Sequence, residues 1–318
     1  MTLEFLRDSG NRHVSVYQTS ALERAWEGRG VIPLTIDQSQ SFQFVAKCIS
    51  KLRLTRRLSG DGNPPILVAM MGYSESRLFP KCLHREFIPY VFDCWPSSYD
   101  RWESFFWRNK IRMAIFSARQ SASYFAKRMR GMQCIWLPEA LDVSDYSSGP
   151  NLVSRDIDVL ELGRKFDWYH QAILEPLSQA ERIHLFERVK GQIVFPTLQE
   201  FVDGLSRSKV SVCFPCSMTH PERSGDVETV TMRYFESIAS RCLIVGKCPA
   251  ELQELFGYNP IIEIDTQKPS SQILEILTEI DKYQEFVDSN RARLLQVGTW
   301  DVRVSEMLET IQSRLASN

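Results

Sequence analysis

Ser224-Gly225-Asp226-Val227-Glu228-Thr229-Val230-Thr231-Met232-Arg233-Tyr234-Phe235-Glu236 follows a β-branched run, Lys209 to Phe214, and a short loop. A buried strand, a loop and an amphipathic segment in that order make up the repeating unit of a parallel α/β sheet. Gly225 and Asp226 suit a helix start, with the Asp226 carboxylate placed to accept an N–H of the first turn. The spacing then puts Glu228 in the first turn and Glu236 two turns on. At the rise and turn of an α-helix they stand roughly 12 Å apart and about 80° around the axis. Both carboxylates can face one elongated ligand, and the unpaired N–H groups near Thr229 and Val230 offer a seat for phosphate. The plainer reading is an amphipathic helix built on Val230, Met232, Phe235 and Ile238, with its glutamates in water.

The same alternation extends both ways. Upstream, Ile157 to Leu162 reads as a strand running into Gly163-Arg164-Lys165, Tyr169 to Ala180 as a helix, Gln192 to Pro196 as a strand and Leu198 to Ser206 as a helix. Downstream, Cys242 to Gly246 and Ile261 to Ile264 read as strands around a helix from Ala250 to Phe256, and Ser270 to Leu315 is helical. In the first half, strands are expected at His13–Tyr17, Val31–Ile36, Ile66–Met71, Phe87–Phe92, Met113–Phe116 and Cys134–Leu137. Helices are expected at Ala21–Gly30, Ser41–Leu58, Tyr99–Lys110 and Arg119–Met129. Continuous apolar strands are those of a sheet covered on both faces. Pro138 to Ser154 breaks the periodicity and marks a crossing between two domains.

Composition narrows the class. The 318 residues are 43% hydrophobic and 24% charged, enough for two globular domains. Residues 1–150 hold 20 Lys+Arg against 14 Asp+Glu, and the remainder 18 against 25. No basic stripe or RNA-binding motif appears, which argues against a nucleic-acid partner. No apolar run is long enough to span a bilayer and Met1 to Arg12 has no signal-peptide core, so a cytoplasmic location is expected. Of the eight cysteines, Cys213 and Cys216 form one Cys-x-x-Cys pair without a second pair to complete a zinc site. No cofactor is expected. Gln18-Thr19-Ser20 stands where a dinucleotide-binding Gly-x-Gly-x-x-Gly would follow the first strand, arguing against an oxidoreductase.

Glu228 and Glu236 with seven residues between them, the Met232-Arg233-Tyr234-Phe235-Glu236 wording, and the run Ser237 to Gly246 resemble the signature of retaining, family-4-like glycosyltransferases. Those enzymes have two Rossmann-like domains, the GT-B fold. The wording most resembles the branch named for similarity to spore-coat maturation glycosyltransferases. The likeness is strong from Val159 to Asp265 and architectural before that. It implies an acceptor domain over 1–145, a nucleotide-sugar domain over 155–298, and a last helix, 299–318, crossing back to the first. It further implies hexosyl transfer from a nucleotide-diphosphate-sugar to a glycan, lipid-linked or small-molecule acceptor, as in polysaccharide biosynthesis. The anomeric configuration would be retained and no metal used.

Under that resemblance Glu228 contacts the sugar and Glu236 the ribose, with Arg233 orienting Glu236. Gly163, Arg164 and Lys165, together with the helix start at Thr229 and Val230, face the diphosphate. Thr197 lies near the nucleobase, with Phe195 and Pro196. His220 and Arg223 stand on the loop before the helix, where they meet the diphosphate or the sugar; for His220 a structural role is the commoner outcome.

In the first domain, Asp93 at the end of Phe87–Phe92 either contacts an acceptor hydroxyl as base or caps the helix after Pro96. The family's usual first-domain catalytic histidine has no counterpart here, since His84 precedes a strand. Arg101-Trp102-Glu103-Ser104-Phe105-Phe106-Trp107-Arg108 either touches the inner face of a membrane or buries its rings against the sheet, the commoner outcome. Two rival functions share the scaffold: a sugar-nucleotide epimerase, and a binding subunit without turnover.

Overall fold

The computed structural model describes residues 3–7, 15–36, 40–54, 57–58, 62–71, 75–189 and 191–316. In the first half the strands are β1 (Glu4–Leu6), β2 (Ile32–Leu34), β3 (Ile66–Met71), β4 (Phe87–Phe92), β5 (Met113–Phe116) and β6 (Gln133–Trp136). Helices α1 (Ser15–Gly28), α2 (Gln40–Lys51), α3 (Tyr99–Arg108) and α4 (Arg119–Arg128) lie between them. The second half runs β7 (Ile157–Glu161), α5 (Asp167–Gln179), β8 (His184–Phe186), α6 (Leu198–Ser206) and β9 (Ser208–Cys213). It continues through α7 (Cys216–Thr219), α8 (Pro221–Ser224), α9 (Met232–Ala239), β10 (Leu243–Gly246), α10 (Ala250–Phe256) and β11 (Ile262–Glu263). Helices α11 (Pro269–Thr278), α12 (Gln284–Val297) and α13 (Trp300–Ala316) close the chain.

Two compact units result. Unit 1 comprises Met1–Pro138, Glu222–Val227 and Arg303–Asn318; unit 2 comprises Glu139–Pro221 and Glu228–Val302. Unit 1 holds a six-stranded sheet in the order β2-β1-β3-β4-β5-β6, and unit 2 a five-stranded sheet in the order β11-β10-β9-β7-β8. Every pairing in both is parallel. The apolar runs explain why: all six residues of β4 and five of six in β3 are buried, as strands covered on both faces must be. In unit 1, Trp102, Phe105, Phe106, Phe116 and Phe125 pack together under the sheet. In unit 2, Tyr169, Ile173 and Leu177 of α5 close over Val159, Val210 and Val212.

Four local readings differ from the structure. Ser15, Val16 and Tyr17 open α1 instead of forming a strand, and His13 and Val14 lie outside the described residues. The first strand is β1, so Gln18-Thr19-Ser20 sit inside a helix and not in the loop after a strand. Gln192–Pro196 forms no strand; the edge of the second sheet is His184–Phe186, paired with β7. Most consequential, α9 begins seven residues after Gly225. Gly225 has φ +55°, which ends α8, and Val227, Thr229, Val230 and Thr231 are β-branched residues that favour extended backbone. Thr231, at ψ 157°, is the N-cap.

Candidate functional site

In a parallel sheet all carboxyl ends emerge on one edge, where open α/β folds bind ligands. On that edge of unit 2, β7 runs into Gly163-Arg164-Lys165, with Gly163 at φ +75°. Strands β9 and β8 flank β7, and the two basic residues reach one to each side. Arg164 donates from Nη1 to Cys216 Sγ, 3.3 Å away beyond β9. Lys165 donates from Nζ to the Glu187 carbonyl at 2.9 Å beyond β8, with its ammonium 4.8 Å from the Phe186 ring centre.

The α9 helix brings the second charged group. Met232, Tyr234, Phe235, Ile238 and Ala239 are buried, and Arg241 at φ +57° stops the helix. Glu236 is buried too. Its Oε2 lies 3.3 Å from Arg233 Nη1 one turn earlier, and its Oε1 accepts from the Tyr146 hydroxyl at 3.3 Å. The Arg233 guanidinium also lies 5.0 Å from the Phe201 ring centre. Burial and the neighbouring Glu236 carboxylate push the Tyr146 hydroxyl well above its ordinary pKa, so it stays a donor.

Glu228 and Glu236 are not two faces of one helix. Glu228 is half-buried in the extended segment before α9, and Thr229 and Val230, both buried, precede the N-cap instead of forming the first turn. Thr197 is the N-cap of α6: its Oγ1 accepts from Glu200 N at 3.2 Å and donates to Glu200 Oε2 at 2.8 Å. Phe195 packs beneath α6, where a side chain at Gly204 would strike its ring. His220 ends α7, its backbone N–H donating to Cys216 O at 2.7 Å.

Unit 1 gathers Asp93 and Arg223. Asp93 follows β4 at φ +50°, and its Oδ2 lies 3.7 Å from Arg223 Nη2. It caps neither the Pro96–Ser98 turn nor α3, whose N-caps are Trp95 and Ser98. Of the aromatic stretch on α3, Trp102, Phe105 and Phe106 enter the core and Trp107 is exposed. All eight cysteines are free.

Sequence reasoning missed Tyr146, which lies in the stretch read as a crossing. It also missed a buried cluster of Glu161, His170 and His184 in unit 2. Glu161 Oε2 accepts from His170 Nδ1 at 2.5 Å and from His184 Nε2 at 2.9 Å. Burial alone would raise the Glu161 carboxyl, but the two hydrogen bonds and the imidazole charge outweigh it and hold it below its usual value. A carboxylate depressed in the folded state adds stability above its unfolded pKa, about 4.3, and that stability is lost as pH falls through the folded value. The urea midpoint of the wild type should therefore exceed that of Glu161→Gln at pH 7, with the gap narrowing between pH 5 and 3. A constant gap would rule this contribution out.

No protein-family model matches the sequence, and no curated protein matches it. Solved structures do. Anabaena Alr3699/HepE, in complex with UDP and glucose, aligns with TM-score 0.59 at 11% identity, over 98% of this chain and 100% of that one. AviGT4, a glycosyltransferase involved in avilamycin A biosynthesis, aligns with TM-score 0.58 at 12% identity, over 100% and 98%. A glycosyltransferase from Rickettsia africae gives 0.58 at 10%, over 100% and 99%. This chain has the GT-B fold. Within the GT-B fold, the Gly163–Lys165 loop and the Arg233–Glu236 pair both belong to unit 2.

Proposed function

We propose that this protein is a retaining, metal-independent glycosyltransferase using a nucleotide-diphosphate-sugar donor and a glycan or lipid-linked acceptor. The observation that carries the reading is Glu236, a buried carboxylate on α9 aimed by Arg233 and Tyr146, in the same unit as the Gly163-Arg164-Lys165 loop. A carboxylate so held suits a pair of ribose hydroxyls, and a basic pair at a strand's carboxyl end suits a diphosphate. The solved HepE structure with UDP and glucose supports a ligand of this class.

In the transfer, the bond from the anomeric carbon to the diphosphate oxygen breaks and one to the acceptor oxygen forms. The acceptor's proton passes to an oxygen of the departing diphosphate, which gains charge as its bond to the sugar breaks. Arg164, Lys165 and the opening turn of α9 stabilise that charge in place of a metal. Glu228 meets the donor sugar, with His220 nearby in sequence. Attack on the face that the diphosphate leaves gives retention.

A thermal-shift panel of ADP, GDP and UDP tests the donor. Saturation at a hundred times Kd should stabilise the native state by about 2.7 kcal/mol. Sugar transfer should then survive a chelator. A panel in which nothing stabilises the protein removes the reading. Formation of a new nucleotide-sugar without acceptor would favour the epimerase instead.

A further inference from the structure

Glu161, His170 and His184 take no part in the transfer just described, yet their donor atoms lie within 4.8 Å of one another in the interior of unit 2. Two imidazoles and a carboxylate are a set that zinc accepts. The geometry is that of proton sharing instead. The carboxylate oxygen stands 2.5 and 2.9 Å from the two nitrogens, whereas ligands around a tetrahedral zinc stand about 3.3 Å apart. A zinc on His184 Nε2 would also leave the ring's proton on Nδ1, which is buried with no hydrogen-bond partner among the described residues. With the carboxylate ionised, each ring donates to Glu161, His170 from Nδ1 and His184 from Nε2.

The locked rings have a common neighbour. Their centres lie 4.7 Å from that of Phe186, His170 edge-on and His184 tilted. The same Phe186 ring carries the Lys165 ammonium at 4.8 Å, and the next residue's carbonyl accepts from it. A lysine is a flexible point charge, and a phosphate ligand must otherwise order it on binding.

We infer that Glu161, His170 and His184 are positioning residues for Lys165. The shared carboxylate clamps the two imidazoles, the imidazoles fix Phe186, and Phe186 with the Glu187 carbonyl seats the ammonium. The inference rests on the reading of Lys165 as a diphosphate ligand. It assigns the buried triad to the diphosphate end of the donor and not to the nucleoside.

Calorimetry on the full chain at pH 7.5 tests it with whichever of UDP, ADP and GDP binds most tightly, beside the matching nucleoside. Glu161→Gln should weaken the nucleoside diphosphate about tenfold and leave the nucleoside unchanged. Lys165→Met should weaken it at least as much, and the double variant no further than Lys165→Met alone. Phe186→Leu, which leaves the triad intact, should show the same non-additive loss and serves if Glu161→Gln does not fold. Additive losses, or equal losses for the nucleoside, would overturn the inference while the donor site stands. Stoichiometric zinc in the purified protein, measured by plasma emission, would overturn it in favour of a metal centre. Absence of binding by all three nucleotides in the wild type would remove the donor site and the inference together.

Discussion

Replacing Glu236 with alanine is expected to weaken nucleoside diphosphate binding about a hundredfold, close to 2.8 kcal/mol. Two contributions add. Hydrogen bonds from ribose hydroxyls to an ionised carboxylate are worth about 1.5–3 kcal/mol. The second is lost order: Arg233, which sits 3.3 Å from Glu236, loses the partner that holds it against α9. Glu236→Gln keeps the shape and both acceptor positions short of one, and should lose about tenfold, or 1.4 kcal/mol. Tyr146→Phe removes a donor without touching the carboxylate and should lose least. Because Glu236 is buried and paired, its removal also costs fold stability, so each variant's unfolding midpoint must be measured beside its affinity. Alanine binding like wild type would remove Glu236 from the site. Equal losses in the alanine, glutamine and phenylalanine variants would point to a disturbed fold instead of a lost contact.

How far the sequence could be read depended on length and burial. Ile66–Met71, Phe87–Phe92 and Met113–Phe116 were legible to the residue because central parallel strands are apolar on both faces. Leu198–Ser206 was legible as well, and its capping box of Thr197 and Glu200 gives the physical reason its start is sharp. Glu4–Leu6 and His184–Phe186 were not: three residues with Glu or His among them carry no period, and only pairing with β3 or β7 makes them strands. At α9 the pattern of apolar residues was right from Met232 onward, but Gly225 and Asp226 mimicked a helix start that the β-branched run to Thr231 forbids. The charged groups divide in the same way. Arg164 and Lys165 stand out after a strand end and Glu236 within an amphipathic helix, whereas Tyr146 finds Glu236 across 90 residues and His184 finds Glu161 across 23. Pairings of that span belong to the tertiary structure alone.

Gly246→Ala should be strongly destabilising, with Gly163→Ala as its control. Gly246 ends β10 alongside Cys213 of β9, and a Cβ built there would lie 1.8 Å from the Cys213 carbonyl oxygen. That oxygen is fixed, because it accepts from the Lys247 N–H at 3.1 Å. Relief therefore requires β9 and β10 to separate at the edge that carries the candidate site. Overpacking of a rigid core costs about 1–3 kcal/mol and sometimes more, and the clash here is with backbone, so the upper end is expected. Gly163 differs in kind: its φ of +75° strains an alanine, but no atom lies within 4 Å of the added carbon. The cost there should be about 1 kcal/mol, from the left-handed backbone conformation. Urea midpoints of the two variants should thus separate clearly, with Gly246→Ala the lower. A Gly246→Ala protein as stable as Gly163→Ala would mean that β9 and β10 spread without loss, and that the edge of this sheet is softer than its close-packed strands imply.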